Sequence, residues 1–442
     1  MIDPKNVHET LKRHQLADGF SMVLDLDKSH GSWLFDSREN VEYLDFFTCF
    51  ASWPLGYNHP GLREPKFQSA LLQAALNNPS NSDLYTTHMA EFVEAFATKV
   101  TPKGFPYHFW ISGGALAVEN AIKVAFDWKA HKIGLDKLQD DGAGLAVLHF
   151  RQAFHGRSGY TMSLTNTDPR KIALFPKFHW PRVHNPAIEF DLDGKIQNDI
   201  VAEEAKSCAE IEKAFRDFKG RIACILIEPM QGEGGDNHFR SEFLKKLRQY
   251  ADENEALLVF DEVQTGFFGS GKPWMWEHHG VKPDVVAFGK KTQVCGIYAG
   301  PRVDEVKENV FHVPSRINST WGGSLTDMVR SRRFIELIVE NDYCGNVARQ
   351  GARFVQGLRT LGKERGVIAN VRGLGSLAAF TLDTPEVRNQ LLADMRAKKF
   401  LALPSGERSI RFRMPLNVSA TEIDTALDRI GSSLPARRTA VA

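Results

Sequence analysis

The 442-residue chain reads as an α/β protein, with a mostly parallel central sheet covered by helices on both faces and a smaller α+β domain. Three observations predict this. The runs "GLAVLHF", "ACILIEP", "ALLVFDE" and "VVAFGK" are short and apolar on both faces. Helical stretches separate them, as strands buried inside a parallel sheet require. After about Leu325 this alternation stops and long helices mix with shorter strands.

In chain order, a polar helical stretch is expected over residues 6–15, followed by two strand-like runs, "SMVLDLDKSHGSWLFD" and "VEYLDFF". A helix is expected over 115–130, opened by a glycine pair, and another over 241–253. Beyond residue 325 come a helix to about 341, a further helix, "SLAAFTLD", a helix over 385–399, "LALPSG", "SIRFRMPL" and a last helix from 421. The final "PARRTAVA" reads as a loose tail. There is no internal repeat and no low-complexity linker. The expected division is a large domain over 61–325 and a small C-terminal domain over 326–442, with residues 1–60 contributing to the small one.

The composition is that of an ordinary globular protein, 43% hydrophobic and 25% charged. Fifty-five Lys and Arg against 54 Asp and Glu leave a formal charge of +1, which points away from nucleic acid or an anionic membrane surface. Small molecules and other proteins are the expected partners. Five widely spaced cysteines (Cys49, Cys208, Cys224, Cys295, Cys344) form no CxxC pair. They argue against a disulfide framework or a zinc site and fit a reducing, cytoplasmic location. No apolar run approaches the ~20 residues that span a bilayer. The N-terminal "MIDPKNVHETLKRH" has no apolar h-region, so no signal peptide is expected.

Ligands of open parallel sheets sit beyond the carboxyl ends of the strands. Asp261-Glu262 follow "ALLVF", Lys290-Lys291 follow "VVAFG", and Glu228 with Gln231-Gly232-Glu233-Gly234-Gly235 follow "ACILI". Phe154-His155-Gly156-Arg157 follow "GLAVLHF". Gly113-Gly114-Ala115 open the first long helix, where free N–H groups and the positive dipole end make an anion site. A phosphate cradle, an aromatic, a carboxylate and a lysine on strand ends, and separate arginines are what a pyridoxal-phosphate site needs. The lysine attaches to the cofactor covalently and later carries a proton; the carboxylate keeps the ring nitrogen protonated.

The motifs "GGALAVENA", "AFHGRSGYT", "PKFHWPR", "IEPMQGEGGDNHFR", "DEVQTGF", "AFGKKTQVCG" and "RINSTWGG" occur in this order. Together they resemble the class III (ω-) aminotransferases of the pyridoxal-phosphate-dependent transferase fold type I, most closely the L-lysine 6-aminotransferases. The resemblance runs from "LADGFSMVLDLDKSHG" to "SIRFRMPL". It implies transfer of the ε-amino group of L-lysine to 2-oxoglutarate, giving 2-aminoadipate 6-semialdehyde and glutamate by a ping-pong mechanism. It also implies a homodimer whose active sites are shared across the interface.

The resemblance also implies a role for each matching residue. The cofactor-bonding lysine lies six residues after the strand-opening Asp284 and 29 after the ring-nitrogen partner Asp261; both counts select Lys290 over Lys291. Gly114 and Ala115 bind the cofactor phosphate through backbone N–H, Phe154 stacks on one ring face, and Val263 packs on the other. Gln264 bonds the phenolic oxygen, and Thr320 reaches the phosphate of the partner subunit. Arg157 and Arg411 clamp carboxylates, since a planar guanidinium grips a carboxylate bidentately. Glu233 pairs with Arg411 while an amine end is bound and turns away for the dicarboxylic 2-oxo acid. "GGALAVEN" replaces the commoner "GSEAxE", which removes a hydroxyl at Ala115, a change the lysine aminotransferases share.

Plainer readings stand beside these. Asp261 also reads as a turn cap, Gly113-Gly114 as a simple helix entry, Phe154 as core, Glu233 as a loop acid, and Lys291 as an ordinary solvated lysine. Arg157 and Arg411 taken singly read as surface or ion-pair arginines. Arg413 shares a strand face with Arg411, and the match to "IRxxxPL" selects Arg411. "GLGSLA" fits a dinucleotide pattern but leads into a strand, so it reads as a turn. His278-His279 offers no third metal ligand and reads as a helix-end surface; no metal is expected. Three rivals stay open: an ω-aminotransferase for ornithine, 4-aminobutyrate or another diamine; a racemase or aminomutase; and a non-catalytic binding protein, which would lack the Lys or the Asp.

Overall fold

The computed structural model describes residues 2–135 and 144–435. Most of the "PARRTAVA" tail lies outside the described residues. Near the N-terminus, β1 (Trp33–Asp36) and β2 (Val41–Asp45) form a hairpin. The large sheet is built from β3 (Tyr107–Ile111), β4 (Ala146–Phe150), β5 (Arg182–Val183) and β6 (Ile222–Ile227). After a short ribbon of β7 (Met230–Gln231) and β8 (Asn237–His238) it is completed by β9 (Leu257–Asp261), β10 (Val285–Phe288) and β11 (Cys295–Ala299).

Its strand order is β3-β11-β10-β9-β6-β4-β5. Only β11 runs antiparallel to its neighbours; the other pairings are parallel. The expected mostly parallel sheet is therefore present. Every residue of β4, β6, β9 and β10 is buried, which explains the absence of polar alternation in their sequences.

The helix Gly114–Lys132 lays Ala117, Val118, Ala121, Ile122, Ala125 and Trp128 against one face of the sheet, where they meet Val147, Val259, Val285 and Ile297. The other face meets Phe92 and Phe96 of the helix Thr87–Lys99 and Phe243, Leu244 and Leu247 of the helix Ser241–Glu253. Burying each large apolar side chain contributes roughly 1.5–3 kcal/mol, so both helix layers are anchored independently of any ligand.

Toward the C-terminus, β12 (Ala369–Leu374), β13 (Leu377–Thr381), β14 (Phe400–Leu401), β15 (Leu403–Ser405) and β16 (Ser409–Arg413) follow. Four of them form the sheet β12-β13-β16-β15, while β14 pairs in parallel with β2. The "GLGSLA" motif is the tight turn between β12 and β13, as its sequence context required. The helices Leu325–Glu340, Tyr343–Arg365, Pro385–Ala397 and Ala420–Ser433 surround these strands. The last one starts from a capping box of Ser419 and Glu422.

Two local expectations change. The first helix spans only Val7–Lys12, after a 3-10 turn. Of "SMVLDLDKSHGSWLFD" only the end is a strand, because Asp25 Oδ1 accepts from the backbone N–H groups of Asp27 and Lys28 and bends the chain into a turn. Beyond β2, residues Thr48, Cys49, Phe50 and Ala51 all have φ between 42° and 66°. This left-handed turn is held by buried Asp45, whose Oδ1 accepts from Phe47 N at 2.7 Å and Thr48 N at 2.9 Å. Such backbone strain persists only where the surroundings over-determine it.

Candidate active site

The carboxyl ends of β4, β6, β9 and β10 open into a cavity of ≈ 290 Å³. Gly114, Ala115, Phe154, Arg157, Asp261, Val263, Gln264 and Lys290 line it, together with His155, Gly156 and Glu228. Eight residues picked out in the sequence thus meet in one place. The register explains why. Ala287 of β10 pairs with Asp261 of β9, so Lys290 emerges three residues past the level of the carboxylate. Ile227 of β6 pairs with Phe260, which brings Glu228 beside Asp261.

Asp261 is 5% exposed, and its two oxygens have different partners. Oδ1 accepts from Val263 N at 3.0 Å, and Oδ2 lies 2.8 Å from His155 Nδ1. Because a carboxylate only accepts, Nδ1 carries the proton; Nε2 of this buried imidazole has no partner among the described residues. Glu228 accepts from Phe154 N and Gly232 N, both at 3.0 Å. Burial raises its pKa, the facing His155 opposes that, and the Asp261 charge adds to it.

Lys290 is half-buried and has φ 55°, a left-handed conformation that turns the chain sharply off β10. Burial, and next the Arg411 guanidinium, lower the pKa of its ammonium; Asp261 and Glu228 oppose the shift. A lowered pKa makes the neutral, nucleophilic amine more accessible. At the opposite wall no side chain caps the helix Gly114–Lys132, so its first N–H groups face the cavity. A Cβ at Gly114 would stand 2.8 Å from Val263 Cγ1, and glycine is what lets this helix end approach the Val263 wall.

Lys291 overturns the solvated reading. It is 2% exposed, and its ammonium donates to the Gln264 carbonyl at 2.6 Å. Burial, with Arg413 and Lys290 nearby, lowers its pKa to about 7. The two lysines leave the strand end in different directions because Lys290 and Gln293 are both left-handed and fold the 3-10 turn between them. His278 and His279 do end a helix, but they are half-buried and bonded to Ser270 and Ser241 rather than forming a surface.

A second cavity, ≈ 820 Å³, holds Arg411, Glu233, Lys171 and Phe50. Gln264 and Phe154 connect the two. Arg411 Nη1 donates to Gln264 Oε1 at 3.3 Å, and the Lys171 ammonium lies 5.5 Å from the Phe154 ring centroid. Arg413 on the same strand face is fully buried and forks onto Asp236 with two bonds of 2.7 Å. It also donates to Gln264 Oε1 at 2.6 Å. Its guanidinium is thus occupied structurally, whereas Arg411 has no ion-pair partner among the described residues and its Nε is unbonded. Glu233 pairs with Lys171 and accepts from Thr167 Oγ1 at 3.0 Å; it does not bond Arg411. Thr320 is exposed and outside both cavities, its carbonyl accepting from Ser80 and Ser82.

Three further residues of these cavities, His155, Glu228 and Lys171, are given no role by the sequence. His155 and Glu228 follow strand ends, and that position was the available signal. Lys171 carries no motif signal; it reaches the site only because the loop after residue 164 folds back over Phe154.

Residues 16–434 match the family model described as Aminotransferase class-III. An L-lysine-epsilon aminotransferase from Amycolatopsis lactamdurans is 47% identical over 438 residues, 98% of this chain and 97% of that protein. The L-lysine-epsilon aminotransferase of Mycobacterium tuberculosis is 48% identical over 434 residues, 98% of this chain and 96% of its own. A solved structure, lysine aminotransferase from M. tuberculosis in the internal aldimine form, superposes with a TM-score of 0.93 at 47% identity. It covers 98% of this chain and 99% of that one.

The chain belongs to the class-III aminotransferases. It is therefore an α/β enzyme of the pyridoxal-phosphate-dependent kind. The cavity fits that cofactor. It offers an uncapped helix N-terminus for an anionic phosphate, a buried carboxylate for a ring nitrogen, an aromatic and an aliphatic wall, and an amine.

Proposed function

We propose that the protein transfers the ε-amino group of L-lysine to 2-oxoglutarate, giving 2-aminoadipate 6-semialdehyde and glutamate. The observation that carries this is a single cavity in which Lys290, Asp261 and the Gly114 helix end converge, in a chain 47–48% identical to lysine-epsilon aminotransferases throughout. When bound, pyridoxal phosphate supplies an electron sink for the substrate carbon that bears the nitrogen.

The residues supply the rest. Lys290 would hold the cofactor through its amine and, once released, would move a proton at the substrate carbon. Asp261, oriented by His155 and Val263 N, would hold a proton at the ring nitrogen of the bound cofactor. Gly114 and Ala115 would receive the phosphate, Phe154 and Val263 would line the two ring faces, and Gln264 would bond the phenolic oxygen. Arg157, exposed at the cavity rim, binds the α-carboxylate of the amino donor. Arg411 binds a carboxylate of the dicarboxylic 2-oxo acid once Glu233 stands away from it.

The same reading includes a homodimer in which Thr320 reaches the partner's phosphate. Supporting this, the loops around Ser80 and Thr320 touch each other and carry Leu84, Tyr85 and Trp321 at 65%, 79% and 48% exposure, an apolar surface suited to a second copy. It also includes the division at residues 60 and 325, supported by the pairing of β14 with β2, and a cytoplasmic location, supported by five free cysteines. No helix among the described residues is long and apolar enough to cross a membrane.

The test compares L-lysine, ornithine and 4-aminobutyrate as donors to 2-oxoglutarate, with glutamate as the readout. Lysine is expected to lead by roughly tenfold or more in kcat/KM. Ornithine or 4-aminobutyrate ahead of lysine would overturn the donor assignment. Conversion of the amino acid without nitrogen transfer would indicate a racemase or aminomutase.

A further inference from the structure

We infer that Lys171 is a specificity-determining residue: by drawing the Glu233 carboxylate to itself, it keeps Arg411 free to bind a carboxylate of a dicarboxylic 2-oxo acid. This rests on the proposed alternation of substrates at Arg411.

Glu233 has a fixed backbone and a side chain with a choice. Its carbonyl accepts from Gly406 N at 2.8 Å, and the following Gly234 is held so close to Gln152 that a Cβ there would stand 1.8 Å from the Gln152 carbonyl oxygen. Only side-chain rotation can redirect the carboxylate. Two cations compete for it. Arg411 feels the Glu233 charge but makes no bond to it. Lys171 holds the carboxylate in an ion pair, and Thr167 adds a hydrogen bond to the same oxygen.

The two cations differ in surroundings. Arg411 is 4% exposed and has no carboxylate partner among the described residues, a state that favours capture of any anion entering the cavity. The Lys171 and Glu233 side chains are partly exposed, so their pair is solvent-screened and readily exchanged. Lys171 also sits over the ring of Phe154 and is thereby kept close to the substrate space. A cation at this point has opposite effects on the two substrates. It favours the dicarboxylate by removing its internal competitor, and it disfavours the donor end that Glu233 on Arg411 would accommodate.

The test is calorimetric binding of glutarate, a non-reacting dicarboxylate, to cofactor-loaded protein, with the KM for L-lysine measured in parallel. Lys171→Met should weaken glutarate roughly 3- to 10-fold and leave the lysine KM unchanged or lower. Lys171→Met combined with Glu233→Gln should restore binding to the wild-type level, which misfolding would not allow. If the single variant binds glutarate like wild type, or the double variant stays weak because Lys171 touches the ligand directly, the inference is wrong. Arg411→Ala separates the underlying reading: unchanged glutarate binding in that variant would remove the reading itself, whereas loss there with no effect at Lys171 removes only the inference.

Discussion

The Lys291 ammonium donates to the Gln264 carbonyl at 2.6 Å, beneath the wall of the cavity that Lys290 faces from the other side. One lysine braces the loop that carries Val263 and Gln264, and the other is left for chemistry. Lys290→Ala is expected to lose the covalently bound, yellow cofactor, and Lys291→Met to keep it. A visible spectrum of each purified variant decides, and the reverse pattern would mean that the register is wrong.

Lys291 also predicts a pH dependence of stability. Its folded pKa is about 7 against the ordinary lysine value of 10.5, so between these pH values the unfolded chain binds more protons than the native one. Stability therefore rises with pH through this window. Replacing Lys291 with Met should flatten that rise and stabilise the protein near pH 7, by an amount on the order of a few kcal/mol. Denaturant titrations at several pH values measure it; an unaltered slope would mean that Lys291 is charged and solvated in the fold.

His155 is a positioning residue for Asp261. In His155→Gln the cofactor should still bind, but the pH at which its absorption changes should shift, and kcat should fall on the order of tenfold with little change in KM. A structural role alone would leave the spectral titration where it was.

Arg411→Ala should raise the KM for 2-oxoglutarate roughly 10- to 100-fold while changing kcat/KM for L-lysine far less, because only the dicarboxylate needs a second cation. Steady-state kinetics of the two half-reactions give the comparison. Equal losses for both substrates would argue against alternation at Arg411.

Gly234→Ala tests the rigidity of the loop that carries Glu233. The added Cβ would overlap the Gln152 carbonyl, so the backbone must shift, at a cost of about 3 kcal/mol. Thermal unfolding should show the loss, and a Tm equal to wild type would mean that the loop adapts freely.

Asp261, Lys290 and Gly114 were legible in the sequence because each stands at a fixed offset from a strand or helix end, and strand order then brings those ends together. The parallel sheet was legible for the same reason: uninterrupted apolar runs admit few other environments. The partners of long side chains were not. Arg411 and Arg413 share a strand face and are both buried, and what separates them is Asp236, 177 residues from Arg413 in the chain. Glu233 finds Lys171 rather than Arg411, and Lys291 finds a carbonyl rather than water, through contacts made only when distant segments pack. Spacing fixes where a backbone emerges. The burial and competing charges that choose a side chain's partner exist only once the chain has folded.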